Sequence, residues 1–470
     1  MNSNQSTKQP NVVYVFADQM RVDVGYAGNR DVRTPILDAL AAESLSMTNM
    51  VSTTPVCTPY RASLLTGQYP LMHGLFLNDV RLGTNQVSLG EAFKEQGYDT
   101  AYIGKWHLDG PQRSAYTPPE RRRGFDHWQV LNCTHDYANS AFYEGTDSTP
   151  KKWDGYDAAA QTKAAQAYIR QHDGSKPFVL VLSWGPPHDP YEQAPEEFRA
   201  LYDPAALSLP PNVRPAEVNQ AIVYADADPV QAERKLRTAL ANYYAHITAL
   251  DTYIGWLLDT LREQGIEDDT IFIFTSDHGD MLGSQGEAYK IRPWDESVHV
   301  PFLLRYPRRF GRTQRTADKP IGTPDLMPTL LGLCGLAIPD TVEGTDYAPY
   351  LFGEEDLAEI EGALLCVPHP FADWSFRNGG REYRGVRTER YTYVCDLQGP
   401  WLLYDNEEDP YQLRNLISDP TPGTDEIRSR LHHLLQKLLK ERNDAFLPSA
   451  AYLKQFGYEV NEDGYIPIEM

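Results

Sequence analysis

The chain has 470 residues, of which 41% are hydrophobic, so it is long enough for one large domain and a smaller one with a buried core. With 65 acidic against 43 basic residues, its formal net charge is −22. Such an excess of negative charge argues against a nucleic-acid partner and against binding to an anionic membrane surface. Any site for an anionic ligand must therefore be a local basic pocket.

The first ten residues are polar and lack the apolar core of a signal peptide, so residues 1–10 are predicted to form a flexible leader. No run approaches the ~18 apolar residues of a membrane span, so no transmembrane segment is expected. A periplasmic or secreted location follows if a signal peptide has been removed, and a cytoplasmic one otherwise. The five cysteines show neither metal-type nor disulfide-rich spacing.

Residues 11–17 (NVVYVFA) form a short apolar run, which is typical of a strand buried on both faces of a parallel sheet. The run ends in Asp18 and Gln19. Polar side chains at the carboxyl end of a central strand lie where open α/β sheets bind ligands. An aspartate that only caps a loop is the alternative for this pair in isolation.

A helical pattern over residues 34–45 precedes Cys57, which lies at the start of a short predicted helix in the run PVCTPYRASLLTGQYP. Thr58 is predicted to cap this helix and Gly67 to end it. A helix N-terminus attracts anions and lowers the pKa of a nearby thiol. An inert buried cysteine is the alternative. Asn78, shortly downstream, is a candidate hydrogen-bond partner for a substrate oxygen, or a turn residue.

Two further buried-strand patterns end in groups that bind anions or transfer protons. The run YDTAYIG (residues 98–104) leads to Lys105 and His107, and the run PFVLVLSW (residues 177–184) leads to His188. Prolines on both sides of His188-Asp189 are expected to fix that loop. Because carboxyl ends of parallel strands meet at one edge, we expect these side chains to lie near Asp18.

A fourth such strand, TIFIFT (residues 270–275), leads to Asp277 and His278, which are capable of binding metal. Lys290 follows in a loop before another strand predicted within 296–307. The long helical pattern over 232–264 carries aromatic residues at helical spacing, which indicates core packing. Further helices are predicted near 156–172 and 323–335.

The segment from about 111 to 156 is irregular and rich in Pro, Gly and Tyr, and is predicted to form long loops at the ligand edge. Trp184 and Trp294 are predicted to contact substrate from nearby loops. Packing of these aromatic residues under the loops is the alternative. From residue 363 onward, strand-like pieces lead to a final helix at about 424–442, so a small C-terminal α+β subdomain is expected over 363–470, after a catalytic domain over 11–362.

The motif Cys-x-Pro-x-Arg followed by ASLLTG resembles the signature of type I sulfatases of the alkaline phosphatase superfamily, whose cysteine is oxidised to formylglycine. The runs GKWH, PHDP and SDHG are similar to further motifs of that family. The resemblance implies an alkaline-phosphatase-like α/β fold: a large mixed, mostly parallel sheet flanked by helices, plus a small antiparallel sheet and helix. It also implies a formylglycine-generating enzyme as the partner for maturation.

The same resemblance assigns roles to the candidate residues. One divalent cation would be held by five residues: Asp18, Gln19, Asp277, His278 and converted Cys57. Oxygen-rich ligands favour calcium, with magnesium or manganese as alternatives. Arg61 would position the formylglycine, and Lys105 and Lys290 would stabilise charge on the sulfuryl oxygens. His188 would protonate the leaving alcohol, and His107 would take the proton whose loss regenerates the aldehyde.

The expected reaction is hydrolysis of a sulfate ester, with a sulfated carbohydrate as substrate because aromatic and polar loops at the ligand edge suit sugar rings. A phosphonate monoester or phosphodiester hydrolase of the same superfamily is one alternative, although Lys105 and His107 favour sulfate. A small-molecule arylsulfatase is the other. A glycan-binding protein without activity would be expected to lack some of these ligands.

Overall fold

The structure is a computed structural model that describes residues 9–219, 222–421 and 423–468. Most of the expected leader at 1–10 lies outside the described residues. The strands are, in chain order, β1 (Asn11–Asp18), β2 (Leu45–Met47), β3 (Met50–Val51), β4 (Asp99–Lys105), β5 (His127–Leu131), β6 (Ala141–Glu144), β7 (Lys151–Lys152), β8 (Phe178–Pro187), β9 (Thr270–Ser276), β10 (Phe302–Arg305), β11 (Arg315–Ala317), β12 (Ile321–Gly322), β13 (Ala363–Val367), β14 (Tyr383–Arg387), β15 (Tyr391–Asp396) and β16 (Gly399–Asp405).

The α-helices of the described residues are α1 (Pro35–Ala42), α2 (Cys57–Thr66), α3 (Pro70–His73), α4 (Leu89–Glu95), α5 (Asp157–Gln171), α6 (Glu196–Arg199), α7 (Pro229–Glu263), α8 (Asp295–Val298), α9 (Pro307–Phe310), α10 (Leu326–Leu333), α11 (Ala348–Phe352), α12 (Thr424–Glu441) and α13 (Ser449–Phe456). Among the described residues, no helix is both long enough and apolar enough to cross a membrane.

The large sheet has the strand order β11-β2-β10-β9-β1-β8-β4-β5-β6-β7 within the described chain. Its centre, from β9 through β1, β8 and β4 to β5, is parallel, whereas β10 and β6 pair antiparallel to their neighbours. The predicted large, mostly parallel sheet is therefore confirmed. All the residues of β1, β8 and β9 are buried, as the continuous apolar runs predict.

Helices cover both faces of this sheet. One core cluster joins the sheet to α1, α5 and α7, and a second joins the opposite face to α2, α4 and α10. The tyrosines of α7 at 243, 244 and 253 are buried in the first cluster, which confirms that they are core residues.

The segment from 111 to 156 differs from its prediction as irregular loops. It contains β5, β6 and β7, which extend the large sheet at one edge. These strands are short, and β6 and β7 pair antiparallel at the rim, so they lack the continuous apolar run of a central strand.

The C-terminal part forms a separate four-stranded antiparallel sheet in the order β13-β14-β15-β16. Helix α12 covers it through Leu431, Leu435 and Leu439, which pack in one cluster with Leu364 and Val386 of the sheet. The small antiparallel sheet and its helix were predicted; β13 begins at Ala363, and the division into domains at that point stays a prediction.

Candidate active site

The parallel strands bring two carboxylates together at one edge of the large sheet. Asp18 ends β1 and Asp277 follows β9, and the register of the two strands pairs Ala17 with Ser276. Helix α2 begins at Cys57 beside them. One ligand atom each from Asp18, Cys57, Asp277 and His278 lies within 4.8 Å of the others, and all four residues are buried. Four of the five predicted ligands therefore lie together at one point.

The hydrogen bonds of Gln19 indicate whether this cluster could bind a cation. Its Nε2 donates to Asp280 Oδ2 at 2.7 Å, and its backbone N–H donates to Asp277 Oδ1 at 2.9 Å. Its Oε1 is buried and has no hydrogen-bond partner among the described residues. A buried amide oxygen left unpaired beside carboxylates is unusual unless a further partner binds there, and oxygen is the ligand that hard cations prefer. The donor set thus fits a divalent cation.

Cys57 lies among both acidic and basic groups. Its Sγ is 3.5 Å from Asp18 Oδ1 and 3.4 Å from His278 Nε2, while Lys290 Nζ and Lys105 Nζ lie at 3.2 and 3.7 Å. Burial and Asp18 would raise the pKa of this thiol, but Lys105 and Lys290 hold it well below its usual value. Cys57 therefore has the environment of a reactive thiol, with a lowered pKa and basic neighbours, rather than that of an inert core cysteine.

The N-terminus of α2 is built differently from its prediction. The helix starts at Cys57, and Thr58 is inside it rather than capping it. The Thr58 N–H donates to Asn78 Oδ1 at 3.0 Å, and its Oγ1 donates to the His107 carbonyl at 2.9 Å. Asn78 thus satisfies a free N–H of the first helical turn. The predicted C-terminus is correct, because Gly67 has the left-handed φ of 64°.

Arg61 lies beneath the cluster with only 1% of its surface exposed. Its Nη2 donates to Asp18 Oδ2 at 3.0 Å and to Asp277 Oδ2 at 3.4 Å. Its Nη1 donates to the Lys105 carbonyl at 2.7 Å and to Ser183 Oγ at 2.6 Å. One guanidinium therefore links β1, β4 and β8 to Asp277 after β9, and charge-assisted bonds of this kind are strong.

His107 is held by a carboxylate that the sequence analysis missed. Its Nε2 lies 3.1 Å from Asp79 Oδ1, and Arg113 binds both oxygens of Asp79 at 2.8 and 2.7 Å. Burial would lower the pKa of His107, but the neighbouring Cys133 and Asp79 raise it to about 10. The side chains of Cys57 and Cys133 also contact the ring. No motif pointed to Asp79 or Arg113, since they come from loops.

His188 has a different environment. Its Nδ1 donates to the Asp189 carbonyl at 2.8 Å, and its Nε2 accepts from Lys290 Nζ at 2.7 Å. Burial and the charge of Lys290 hold the pKa of His188 well below its usual value, so the ring is neutral near pH 7. His135, also missed in the sequence, stacks on it with ring centroids 4.4 Å apart.

Several of these residues occupy strained backbone positions. Non-glycine residues with left-handed φ values include Gln19 (68°), Asp79 (64°), His107 (55°), Tyr289 (58°) and Ile291 (78°). Such conformations persist only where the surrounding structure imposes them, and they cluster at functional sites. Of these residues, Gln19, Tyr289 and Ile291 line one cavity, and Asp79 binds the ring of His107.

That cavity has a volume of about 490 Å³. Four predicted site residues line it, namely Gln19, Asn78, His188 and Lys290. Basic groups not predicted as part of the site, Arg113 and Arg292, add positive charge to its walls. The C-terminal segment also contributes a wall, through Asn461 and the residues from Tyr465 to Ile468. A local basic pocket thus exists within an acidic chain.

The two predicted tryptophan contacts are wrong. Trp184 is 0% exposed and packs in the core cluster on the α5 and α7 face of the sheet. Trp294 donates from Nε1 to Tyr404 Oη at 3.2 Å and packs against Trp401, so it joins the large domain to the small sheet. Neither ring lines the cavity.

The carboxyl edge of a mostly parallel sheet carries a cysteine beside side chains that could bind a cation. This arrangement defines a hydrolase of the alkaline-phosphatase-like class. A family model described as Sulfatase matches residues 10–336, and one described as N-sulphoglucosamine sulphohydrolase, C-terminal, matches residues 288–441. The chain belongs to the sulfatase family, and it is a sulfuric ester hydrolase.

Relatives match along almost the whole chain. An ulvan-active sulfatase of Formosa agariphila is 42% identical over 461 residues, covering 96% of this chain and 85% of the relative. An endo-4-O-sulfatase of Bacteroides thetaiotaomicron is 32% identical over 499 residues, covering 94% of each. A solved sulfatase structure from Bacteroides fragilis superposes with a TM-score of 0.81 at 29% identity, covering 96% of this chain and 99% of that one.

Proposed function

We propose that the protein removes sulfate from a sulfated carbohydrate, with formylglycine formed from Cys57 and one divalent cation. The observation that carries the substrate class is the 42% identity to an ulvan-active sulfatase over nearly the full chain, supported by the 32% identity to an endo-4-O-sulfatase. The cavity agrees with it, because basic, amide and aromatic side chains line its walls.

Asp18, Gln19, Asp277 and His278, together with the converted residue 57, would hold the cation. Calcium is favoured by the oxygen donors, and magnesium and manganese are the alternatives. When bound, the cation supplies positive charge that polarises a sulfate oxygen and lowers the pKa of a bound hydroxyl. Arg61 keeps the carboxylates of Asp18 and Asp277 in place from below.

Formylglycine, once made by a formylglycine-generating enzyme, supplies a hydrated aldehyde in place of the thiol, with one hydroxyl as nucleophile and a second whose proton can later be removed. Lys105 and Lys290, at 3.7 and 3.2 Å from Cys57 Sγ, place positive charge around that point. Both ammonium groups would stabilise negative charge on the sulfuryl oxygens as the ester bond breaks.

The two histidines would divide the proton transfers. Because the ring of His188 is neutral and its Nε2 accepts from Lys290 Nζ at 2.7 Å, the proton for the departing alcohol oxygen would pass from Lys290 to Nε2 and from there to the oxygen. His107, which Asp79 fixes in place, would take the proton from the second hydroxyl after its ring has lost the proton that Cys133 and Asp79 favour. Cys57 contributes to the raised pKa of His107, and its conversion removes that contribution.

The substrate class is tested by a panel of defined sulfated mono- and oligosaccharides, one aryl sulfate and one aryl phosphonate, with kcat/KM measured for each. We expect free sulfate from at least one sugar, at a higher kcat/KM than for the aryl sulfate. If every sugar is inert while the aryl sulfate reacts, a small-molecule arylsulfatase replaces the proposal. Preferred cleavage of the phosphonate would instead favour the phosphonate hydrolase alternative.

A further inference from the structure

A second cavity of about 700 Å³ lies beside the catalytic one. Asp189 and Tyr289 line both cavities, so the two are neighbouring parts of one cleft. A volume of this size is within the range of small-molecule sites, which is about 300–1,000 Å³. A ligand bound in the catalytic cavity can therefore continue into the second one.

One wall of the second cavity is a polar face of α7. It is formed by residues three or four apart, which share one side of a helix: Gln231, Arg234, Lys235, Thr238 and Asn242. The facing walls carry the rings of Tyr191, Tyr224 and Tyr289. Amide and hydroxyl groups opposite aromatic rings suit a ring that has both polar edges and apolar faces, as a sugar does.

The cations on this wall differ in how they are paired. Lys235 Nζ lies 3.1 Å from Asp226 Oδ2 and donates to the Ala225 carbonyl at 2.9 Å. Arg234 is exposed, and within the described residues no carboxylate pairs with it. The acidic wall residues, Asp189 and Glu192, come from the segment after β8 rather than from α7. Arg234 is therefore free to bind an anionic group of a ligand.

The position of Arg234 along α7 separates it from the end of the site at Gln19. Helix α7 is anchored at the catalytic centre by Tyr243, whose hydroxyl donates to the Gln19 carbonyl at 2.7 Å and accepts from the Arg21 N–H at 2.9 Å. Arg234 precedes Tyr243 by nine residues, which is about 13 Å along a helix axis. Nine residues are also about two and a half turns, so Arg234 projects from the side of α7 opposite Tyr243, and a ligand group that binds it would lie on a neighbouring unit of the substrate.

We propose that the cavity along α7 is a subsite for a neighbouring saccharide unit, and that Arg234 binds a carboxylate or a second sulfate on that unit. This inference rests on the proposed carbohydrate substrate. It makes the preferred substrate an oligosaccharide or polymer with anionic neighbours rather than a single sulfated sugar.

The test compares Arg234→Gln with Arg262→Gln, an arginine near the other end of the same helix that is 61% exposed. Both are assayed on a sulfated monosaccharide and on a sulfated oligosaccharide that contains uronic acid. We expect Arg234→Gln to lower kcat/KM for the oligosaccharide about tenfold, the size of one lost charge-assisted hydrogen bond, and to leave the monosaccharide unchanged. Arg262→Gln should change neither. An unchanged oligosaccharide rate, or equal losses on both substrates, would overturn the proposal.

A binding measurement tests the subsite independently of the proposed sulfatase activity on carbohydrates. Calorimetry with the same oligosaccharide, after removal of the cleavable sulfate, should show binding to the wild type and weaker binding to Arg234→Gln. If the wild type releases sulfate from sugars but the variant binds as tightly, the subsite fails while the proposed function stands. Two modified oligosaccharides identify the bound anion, one with its carboxyl group reduced and one without the second sulfate. The effect of Arg234→Gln should disappear with the oligosaccharide that lacks the bound group. If Arg234→Gln has the same effect with both groups absent, Arg234 does not bind an anion of the substrate.

Discussion

The carboxylate of Asp277 accepts three hydrogen bonds in the proposed cation site. Its Oδ1 accepts from the N–H groups of Gln19 and His278 at 2.9 and 2.8 Å, and its Oδ2 lies 3.4 Å from Arg61. No other described carboxylate is in a position to replace it beside Asp18. Its loss would leave the positive charge of Arg61 with a single acidic partner in the cluster.

Asp277→Ala should therefore remove the cation and abolish turnover. Elemental analysis of the purified variant gives the metal content, and sulfate release gives the activity. Asp268→Ala is the matched control, because Asp268 is 65% exposed near the opposite end of β9. An Asp277→Ala variant that kept both its metal and its rate would contradict the assigned site.

His188→Ala tests the division of labour between the histidines. We expect a loss of about 10²–10⁴-fold with alkyl sulfates, which need a proton on the departing oxygen, and a much smaller loss with aryl sulfates, whose phenolate leaves unaided. The measurement is kcat for a series of sulfate esters with different leaving-group pKa values. Equal losses across the series would remove His188 from the leaving-group role.

At the scale of elements, the strand ends were the most predictable feature of the site. Continuous apolar runs identify strands buried on both faces, and the residues that follow them must lie at the sheet edge; Asp18, Lys105, His188 and Asp277 were found in this way. Asp79, Arg113 and His135 come from loops, where no periodicity marks a position, so their place in the site depends on tertiary contacts that a single sequence does not encode locally.

Trp184 shows why a residue at a strand end can still face the wrong way. Successive side chains of a strand point to opposite faces of the sheet. Ser183 accepts from Arg61 of α2, so the next residue points to the face covered by α5 and α7. The sequence predicted the strand but not which face each of its residues occupies.

The small domain offers a test of how its helix is held. Leu435 of α12 is 0% exposed and packs in the cluster between the helix and the small sheet. Leu435→Ala should lower the free energy of unfolding of this unit by about 2–5 kcal/mol, because it removes buried methyl groups and leaves a cavity. Lys437→Ala, on the exposed side of the same helix, should change it by less than about 0.5 kcal/mol. Denaturant unfolding of both variants gives the comparison, and equal values would contradict the packing described.

At the scale of the whole molecule, the chain combines a net charge of −22 with a basic catalytic cavity. The large sheet supplies Lys105 and the loop residue Lys290 supplies a second ammonium group. The C-terminal segment completes the cavity. It is held by an edge-to-face contact between Tyr465 and Phe371 and by the hydrogen bond from the Ala372 N–H to the Asp463 carbonyl. The fold class was predictable from strand and helix patterns. The contact of the C-terminal segment with the cavity was not, because it joins segments about ninety residues apart and no local sequence pattern marks it.

The most direct test of the account is the mass of one peptide from fully active enzyme. Cleavage after Arg33 and Arg61 releases residues 34–61, in which Cys57 is the only cysteine. Protein made in a host with the converting enzyme should give this peptide with the thiol replaced by an aldehyde, and protein from a host without it should be folded, unmodified and inactive. Fully active enzyme in which residue 57 is an unmodified thiol would contradict the proposed mechanism.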